Sequence, residues 1–421
     1  MRVLSLIFGV FFALAQPAAS QSPEQNSQPQ PAFEQKLREV RFDLYIQGGK
    51  FSGSAAPLLQ EAISNAQFVL IGEDHLTREI PQFTSIVCDL MVPQGLTAMA
   101  VETGPQAAAF VSSLFGSPDR LAQTAALIHQ YPASIAFLDM RQENDLAAHC
   151  AEVAHRSRFH LWGLDQEFVG SPGWLLDQIL ATQPGPAASA ALKQLKQEEQ
   201  QAAARAKETG DPSKLFLFTA SDSELNQAAA ALQRDGNSLA KRMFRELTES
   251  REIYLKNSQG SPDSNTQRAR LMKENFVGDL EAAEGGSQGQ RVLAKFGDWH
   301  LYKGFNPLQQ RDLGNYIAEL ADGQGATSLH ICILGAKGTH RLFAGYERPN
   351  RLEKFVMDED PDYRWLKPAI NNQLPNAWTL FDLRRLRFQS FKDLDPDMQR
   401  LIYGYDLLII VPELTPADPV E

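Results

Sequence analysis

Two short segments place ionisable side chains directly after an apolar run. Residues 72–75, GEDH, follow FVLI, and residues 297–300, GDWH, follow RVLAKF, so both segments read Gly-x-x-His. Unpaired charges are costly to bury, so groups of this kind are either paired with one another or used in chemistry. A histidine beside carboxylates can transfer protons near neutral pH, and two imidazoles with a carboxylate can hold a divalent ion that activates water.

Further acidic residues stand at the ends of other apolar runs. Glu102 ends TAMAVE, and Asp165 ends FHLWGLD with Glu167 close behind. Loops that follow parallel strands open onto one rim of a sheet, which is where such folds bind ligands. We therefore expect Glu73, His75 and these acids to converge with the second histidine, although structural ion pairs and solvated strand ends would also explain them.

Short apolar runs with amphipathic stretches between them predict the architecture. Continuous apolar strands are typical of a sheet that is covered on both faces. The sequence therefore predicts an α/β fold, with a largely parallel central sheet flanked by helices. The predicted strands are residues 68–72, 97–102, 159–165, 291–297, 329–335 and 405–411.

Two prolines mark predicted helix starts. Pro81 is best tolerated at a first helical position, which leaves residues 72–79 as loop. Asn306-Pro307 has the form of a cap followed by a first-turn proline, and it predicts a helix through about Leu320.

Residues 171–264 lack a strand signal and are helical in composition. We interpret them as a helical insertion, which could be a solvated flank of the domain or a lid or wall over the site. Residues 382–388, DLRRLRF, are interpreted as a possible edge strand.

The amino terminus has the pattern of an export signal. Residues 1–20 carry one positive charge, an apolar stretch too short to span a bilayer comfortably, and a small-residue exit. Residues 21–35 are rich in Gln, Pro and Ser and predict a flexible leader. Residues 36–421 then form the folded domain of a secreted or periplasmic protein, with no membrane span after signal cleavage.

Charge and cysteine content narrow the function classes. A formal net charge of −11 makes nucleic acid an unfavourable partner and leaves a small-molecule or peptide substrate. Three cysteines, Cys88, Cys150 and Cys332, cannot make a disulfide framework, so we expect buried free thiols, with a single bridge as the alternative.

The paired Gly-x-x-His motifs are similar to those of the superfamily that groups erythromycin esterases, TIKI/TraB-type proteases and ChaN-like haem-binding proteins. Several further blocks resemble the erythromycin esterase branch in their order along the chain. These blocks are HLTRE (75–79), AVET (100–103), LDMRQEN (138–144), WGLDQ (162–166), RARLMKEN (268–275) and YDLLIIVPELTPA (405–417).

This resemblance implies roles for particular residues. His75 would activate water, Glu73 and Glu102 would be its acidic partners, and His300 would be a second essential imidazole. Arg268 would stabilise developing negative charge. The implied substrate-binding or supporting residues are Arg78, Arg141, Asp165 and Asn275, and a divalent metal such as Mn, Co or Zn would be held by His75, His300 and Glu102.

The sequence departs from the esterase pattern at two places. Gly297 stands where those esterases carry the first histidine of His-Asn-x-His, and Ala269 replaces an acid in the arginine helix. We therefore predict an exported hydrolase of an ester or amide bond rather than a macrolide esterase as such. The alternatives are a haem- or metal-binding envelope protein without catalysis, and an envelope scaffold whose ancestral site has decayed.

Overall fold

The computed structural model describes residues 31–283, 289–348, 350–391 and 394–421. Within them, six parallel strands form the centre of a sheet in the order β11-β7-β3-β6-β4-β5. These six correspond to the six predicted strands, so the predicted fold class is confirmed. Their bounds are β3 Phe68–Glu73, β4 Leu96–Val101, β5 His160–Gly163, β6 Arg291–Gly297, β7 Ser328–Gly335 and β11 Leu407–Val411.

Further strands extend one side of the sheet. β10 (Trp378–Asp382) pairs antiparallel with both β11 and β1 (Arg41–Gln47), and β2 (Lys50–Ser52) follows β1. The predicted edge strand at 382–388 is wrong, because β10 is internal and Leu383–Leu386 form a 3-10 helix. A separate hairpin joins β8 (Lys337–Leu342) to β9 (Arg351–Val356).

Helices cover both faces of the sheet, as continuous apolar strands require. Successive residues of β3 alternate between two cores: Val69 packs in one cluster and Leu70 in the other. The helices are α1 Pro31–Glu39, α2 Ala55–Asn65, α3 Glu79–Met91, α4 Pro105–Ser113, α5 Arg120–Gln130, α6 Arg141–Val153, α7 Pro172–Ala181, α8 Pro186–Thr209, α9 Phe216–Thr219, α10 Asp222–Asp235, α11 Ser238–Ser258, α12 Asp263–Ala282, α13 Leu313–Gly323, α14 Lys367–Asn371 and α15 Pro396–Gly404.

The two predicted helix starts have different outcomes. α3 begins at Glu79, two residues before Pro81, and β3 extends to Glu73, so the loop predicted at 72–79 is too long at both ends. The helix predicted from Asn306 is wrong in its first half, because α13 begins only at Leu313. Asn306 instead closes a turn by accepting the Gln310 N–H at 3.1 Å, and Asp312 is the residue that caps the helix.

The predicted insertion, residues 171–264, contains α7 to α11 and the start of α12, and it has no strand. The signal segment and most of the leader lie outside the described residues. Residues 31–35, assigned to the leader, instead begin α1, because Phe33 is an apolar anchor buried against the core.

The cysteine expectation is wrong for two of the three residues. Cys88 of α3 and Cys150 of α6 form a disulfide, whereas Cys332 is a buried free thiol. The pairing was not visible in the sequence because 62 residues separate the two positions. Among the described residues, no helix is long and apolar enough to cross a membrane.

Candidate active site

Four neighbouring strands, β3, β6, β4 and β5, end at one rim of the sheet. The polar groups that follow them meet there because parallel strands direct their carboxyl ends the same way. The structure brings together Glu73 and His75 after β3, Glu102 after β4, Asp165 after β5 and His300 after β6.

Glu102 is the centre of this cluster and is only 5% exposed. The Nε2 atom of His75 lies 3.2 Å from its Oε2, and that of His300 lies 3.5 Å from its Oε1. The backbone N–H of Gly297 donates to Oε2 at 2.7 Å, and Arg268 donates to Oε1 at 2.6 Å. Burial would raise the pKa of Glu102, but His300, His75 and Arg268 hold it well below its usual range.

His75 lies between two carboxylates. Its Nδ1 is 2.9 Å from Glu73 and its ring stacks on Phe137 with 4.3 Å between ring centres. Burial would lower the pKa of His75, but Glu102 and Glu73 together raise it to about 10. The side chain is therefore an imidazolium at neutral pH, with a proton on each nitrogen.

His300 has a similar arrangement on the other side of Glu102. Its Nδ1 is 2.8 Å from Asp312, the residue that caps α13, so the start of that helix fixes the imidazole. Burial would lower the pKa of His300, but Glu102 and Asp312 raise it to about 9. Both imidazoles thus have an acid behind Nδ1 and share one acid at Nε2.

Arg268 of α12 closes the cluster. Its Nε lies 2.9 and 3.1 Å from the two carboxylate oxygens of Asp165, and its Nη2 contacts both Asp165 and Glu102. Two-point pairing of this kind fixes the guanidinium plane. Asp165 and Glu102 keep the pKa of Arg268 well above its usual value despite its burial, so this cation persists in the site.

The backbone beside His75 is strained. Leu76 (φ 62°) and Phe137 (φ 60°) both adopt left-handed conformations that are costly for residues other than glycine. The segment 415–420 contacts this part of the backbone: Ala417 donates its N–H to the carbonyl of Leu76 at 2.8 Å, and Val420 donates to that of Asp139, two residues after Phe137, at 2.8 Å. Strain that is held by surrounding structure is common at functional sites.

A cavity of about 80 Å³ opens beside the cluster. At about 30 Å³ for each water, that volume holds on the order of three waters, or the scissile group of a ligand with a short substituent. Its polar lining includes His75, His300 and Arg268, and its aromatic lining includes Phe168, Tyr254 and Trp299. Tyr254 belongs to α11, so the helical insertion contributes a wall of the cavity.

Of the residues that the resemblance implied, Glu73 contacts His75 without lining this cavity, and three others do not line it either. Arg78 donates to the Pro416 carbonyl at 2.9 Å and pairs with Asp418 on an exposed surface. Arg141 is exposed at the start of α6. Asn275 donates to the Leu164 carbonyl at 2.8 Å, so it fixes the end of β5 rather than facing a ligand.

Sequence reasoning missed other members of the network. Lys295, Glu143 and Asp312 are all buried, and each makes an ion pair with a cluster residue or with its immediate partner. The signal for Lys295 was its position inside an apolar strand, where a lysine needs a partner. Asp312 was hidden within the helix predicted from Asn306.

A metal at His75, His300 and Glu102 stays a prediction, as does haem. Among the described residues, no group of three or more His, Cys, Asp or Glu side chains is arranged to hold a metal ion. Both oxygens of Glu102 are already engaged, one of them by the Arg268 guanidinium. As they are placed, these side chains do not fit a metal site, and the reaction proposed below uses no metal.

Comparison with solved structures places this arrangement in a known fold. A mutant of the erythromycin esterase EreC in its open conformation matches with a TM-score of 0.61 and 14% identity, over 90% of this chain and 99% of that one. The chain has the fold of EreC.

Two other solved structures are also similar. A succinoglycan biosynthesis protein matches with a TM-score of 0.57 and 14% identity, over 93% of this chain and 99% of that one. A protein from Bacillus cereus matches with a TM-score of 0.57 and 16% identity, over 92% and 98% of the two chains. No family model matches the chain, and the search of curated proteins finds no match.

Proposed function

We propose that this chain is an exported hydrolase that cleaves an ester or amide bond with water as the nucleophile. The observation that carries the proposal is the convergence of His75 and His300 on Glu102 at the cavity. The fold shared with the esterase EreC supports it. The cavity suits a scissile carbonyl with one short substituent, and the rest of the substrate would extend outside it.

In the proposed reaction, the imidazole of His75 acts as the base and that of His300 acts as the acid. Neutral His75 accepts a proton from water at Nε2 while the water oxygen bonds to the carbonyl carbon. Arg268 stabilises the negative charge that develops on the carbonyl oxygen. The bond to the leaving group then breaks, and His300 donates its Nε2 proton to the departing oxygen or nitrogen. Proton exchange with solvent restores both residues.

The raised pKa values of His75 and His300 predict the pH range in which both imidazoles have the protonation states that the reaction needs. With a pKa of about 10, only about one His75 in a thousand is neutral at pH 7. His300 stays protonated up to a pH of about 9. Catalysis needs His75 neutral and His300 protonated, so the rate should rise about tenfold per pH unit from pH 7 and be highest between about pH 9 and 10.

Export to the periplasm or beyond is part of the proposal. The Cys88–Cys150 disulfide supports it, because structural disulfides persist mainly in oxidising compartments. Growing cells with the full-length gene and locating the product by fractionation tests this point. A product that stays in the cytoplasm with its first twenty residues intact would contradict it.

The catalytic assignment is tested with a panel of short-chain esters, lactones and peptides, assayed from pH 6 to 10.5 with and without manganese or cobalt. The variant His75→Gln should lose at least about a hundredfold in kcat/KM on any substrate found. His149→Gln is the matched control, because His149 pairs with Asp89 on the surface. Unchanged turnover by a folded His75→Gln protein would remove the assignment.

A further inference from the structure

A lysine is sealed between two glutamates behind the proposed site. The Lys295 side chain is 2% exposed, and its Nζ donates to Oε1 of Glu73 and, at 2.6 Å, to Oε1 of Glu143. Glu73 in turn contacts Nδ1 of His75. Neither Lys295 nor Glu143 lines the cavity, so neither touches a ligand there, and Glu73 is the residue through which they contact the proposed site.

The strand register and helix α6 bring Lys295 next to both glutamates. Lys295 pairs with Ile71 in the parallel ladder, which puts its side chain on the same face as Glu73, two residues on. Glu143 arrives from the first turn of α6. Burying three charged groups costs several kcal/mol per ion before pairing compensates, and an apolar trio would fill the same space at no such cost.

The hydrogen bonding of Glu73 makes it dependent on this lysine. Its Oε1 receives both Lys295 and His75, whereas its Oε2 is buried with no hydrogen-bond partner among the described residues. If Lys295 were removed, the contact with the His75 imidazole would be the one hydrogen bond left to the Glu73 carboxylate among the described residues. The orientation of the carboxylate therefore rests on two donors that share one oxygen.

We propose that Lys295 and Glu143 are positioning residues that act through Glu73 to set the orientation and the proton affinity of His75. The proposal rests on the function proposed above for its catalytic meaning, although its electrostatic content can be tested separately. Apart from this trio, the charged or titratable groups that act on His75 include, within the described part of the chain, Glu102, Asp74 and Asp298.

The two partners should act on His75 in opposite directions. The ammonium of Lys295 disfavours a proton on His75, and the carboxylate of Glu143 offsets that effect. Burial raises the pKa of Glu143 to about 7 against the opposing influence of Lys295. Removing the cation should therefore favour protonated His75, whereas removing the anion should leave Lys295 unbalanced and favour neutral His75.

The experiment is a histidine titration by NMR on the folded protein labelled with nitrogen-15 at its eight histidines. The His75 signals are assigned by their loss in His75→Gln. We expect Lys295→Met to raise the midpoint of the His75 titration by about one pH unit, and Glu143→Gln to lower it by about the same amount. Where a substrate is known, the ascending limb of the rate profile should move with each midpoint.

Lys303→Met is the matched control. Lys303 is a largely buried lysine that pairs with Asp406 at the opposite rim of the sheet, where β7 and β11 begin. This variant should leave the His75 midpoint unchanged. Midpoints that do not move, or that move in the same direction in both site variants, would overturn the proposal, and a merely structural role would give that result. Opposite shifts in a protein without turnover would instead uphold it and reject the hydrolase function. If Lys295→Met does not fold, Glu143→Gln, with recovery of the midpoint in Glu143→Asp, decides the question.

Discussion

Gly297 is a position where one added methyl group should displace a proposed catalytic side chain. A Cβ at this residue would lie 2.7 Å from Nε2 of His75 and 3.3 Å from Oε2 of Glu102. The backbone N–H of Gly297 would still donate to Glu102. The substitution Gly297→Ala therefore changes the position of the imidazole without removing any ionisable group.

The size of the effect follows from the displacement. Ordinary van der Waals contact begins near 3.4 Å, so the imidazole must recede by about 0.7 Å. A misplacement of about 1 Å in a catalytic group can cost about a hundredfold in rate. We expect kcat/KM to fall between about 10- and 100-fold, which is roughly 1.4 to 2.7 kcal/mol of transition-state stabilisation.

The assay is kcat/KM on the best ester of the panel near pH 9, with circular dichroism to verify folding. Gly278→Ala is the matched control, because a Cβ there meets no atom within 4 Å and Gly278 lies inside α12. It should keep full activity and gain up to about 1 kcal/mol of stability from helix propensity. If Gly297→Ala is folded and fully active, the imidazole at this rim does not take part in the reaction.

Three further predictions concern charge, pH and the disulfide. Arg268→Met should lower the free energy of unfolding by about 3–5 kcal/mol in urea titrations, because it leaves Asp165 as an unpaired buried anion and removes one cation from Glu102; a loss below about 1 kcal/mol would contradict the pairing. His300 has a pKa raised above that of the unfolded chain, so its contribution to stability is complete below about pH 6.5 and is lost as pH rises through about 9; Tm should fall between pH 7 and 10, and His300→Gln should fall less steeply. Reducing the Cys88–Cys150 disulfide, which closes a loop of 62 residues, should cost about 4 kcal/mol in the entropic model, and an unchanged Tm in reductant would show that the bond is absent.

Apolar runs were enough to predict the sheet, because strands covered on both faces need unbroken apolar sequence. The convergence of Glu102 and His300 with His75 then followed from the polarity of parallel strands, without any contact being known. Strand order was not available from the sequence, since the runs do not say which neighbours pair. The antiparallel strand β10 was not predicted, because the charged residues 382–388 at its carboxyl end were interpreted as the strand instead.

Side-chain direction was the part that sequence reasoning could not supply. Arg78 is three residues from His75, but it turns outward to Asp418, so closeness along the chain misled. Lys295 is much farther from Glu73 in sequence and touches it. The same limit applies to Cys88 and Cys150, whose pairing depends on how α3 and α6 pack.

The contacts between residues 415–420 and the strained backbone beside His75 have a consequence for shortened forms of the chain. Leu76 and Phe137 take up unfavourable backbone conformations, and these late residues bond to the backbone at Leu76 and just after Phe137. A chain that ends at residue 414 keeps the described strands, the last of which ends at Val411, but loses the contacts that hold the backbone beside His75. Proteolytic removal of the residues after 414 should therefore abolish the proposed activity while leaving the sheet intact.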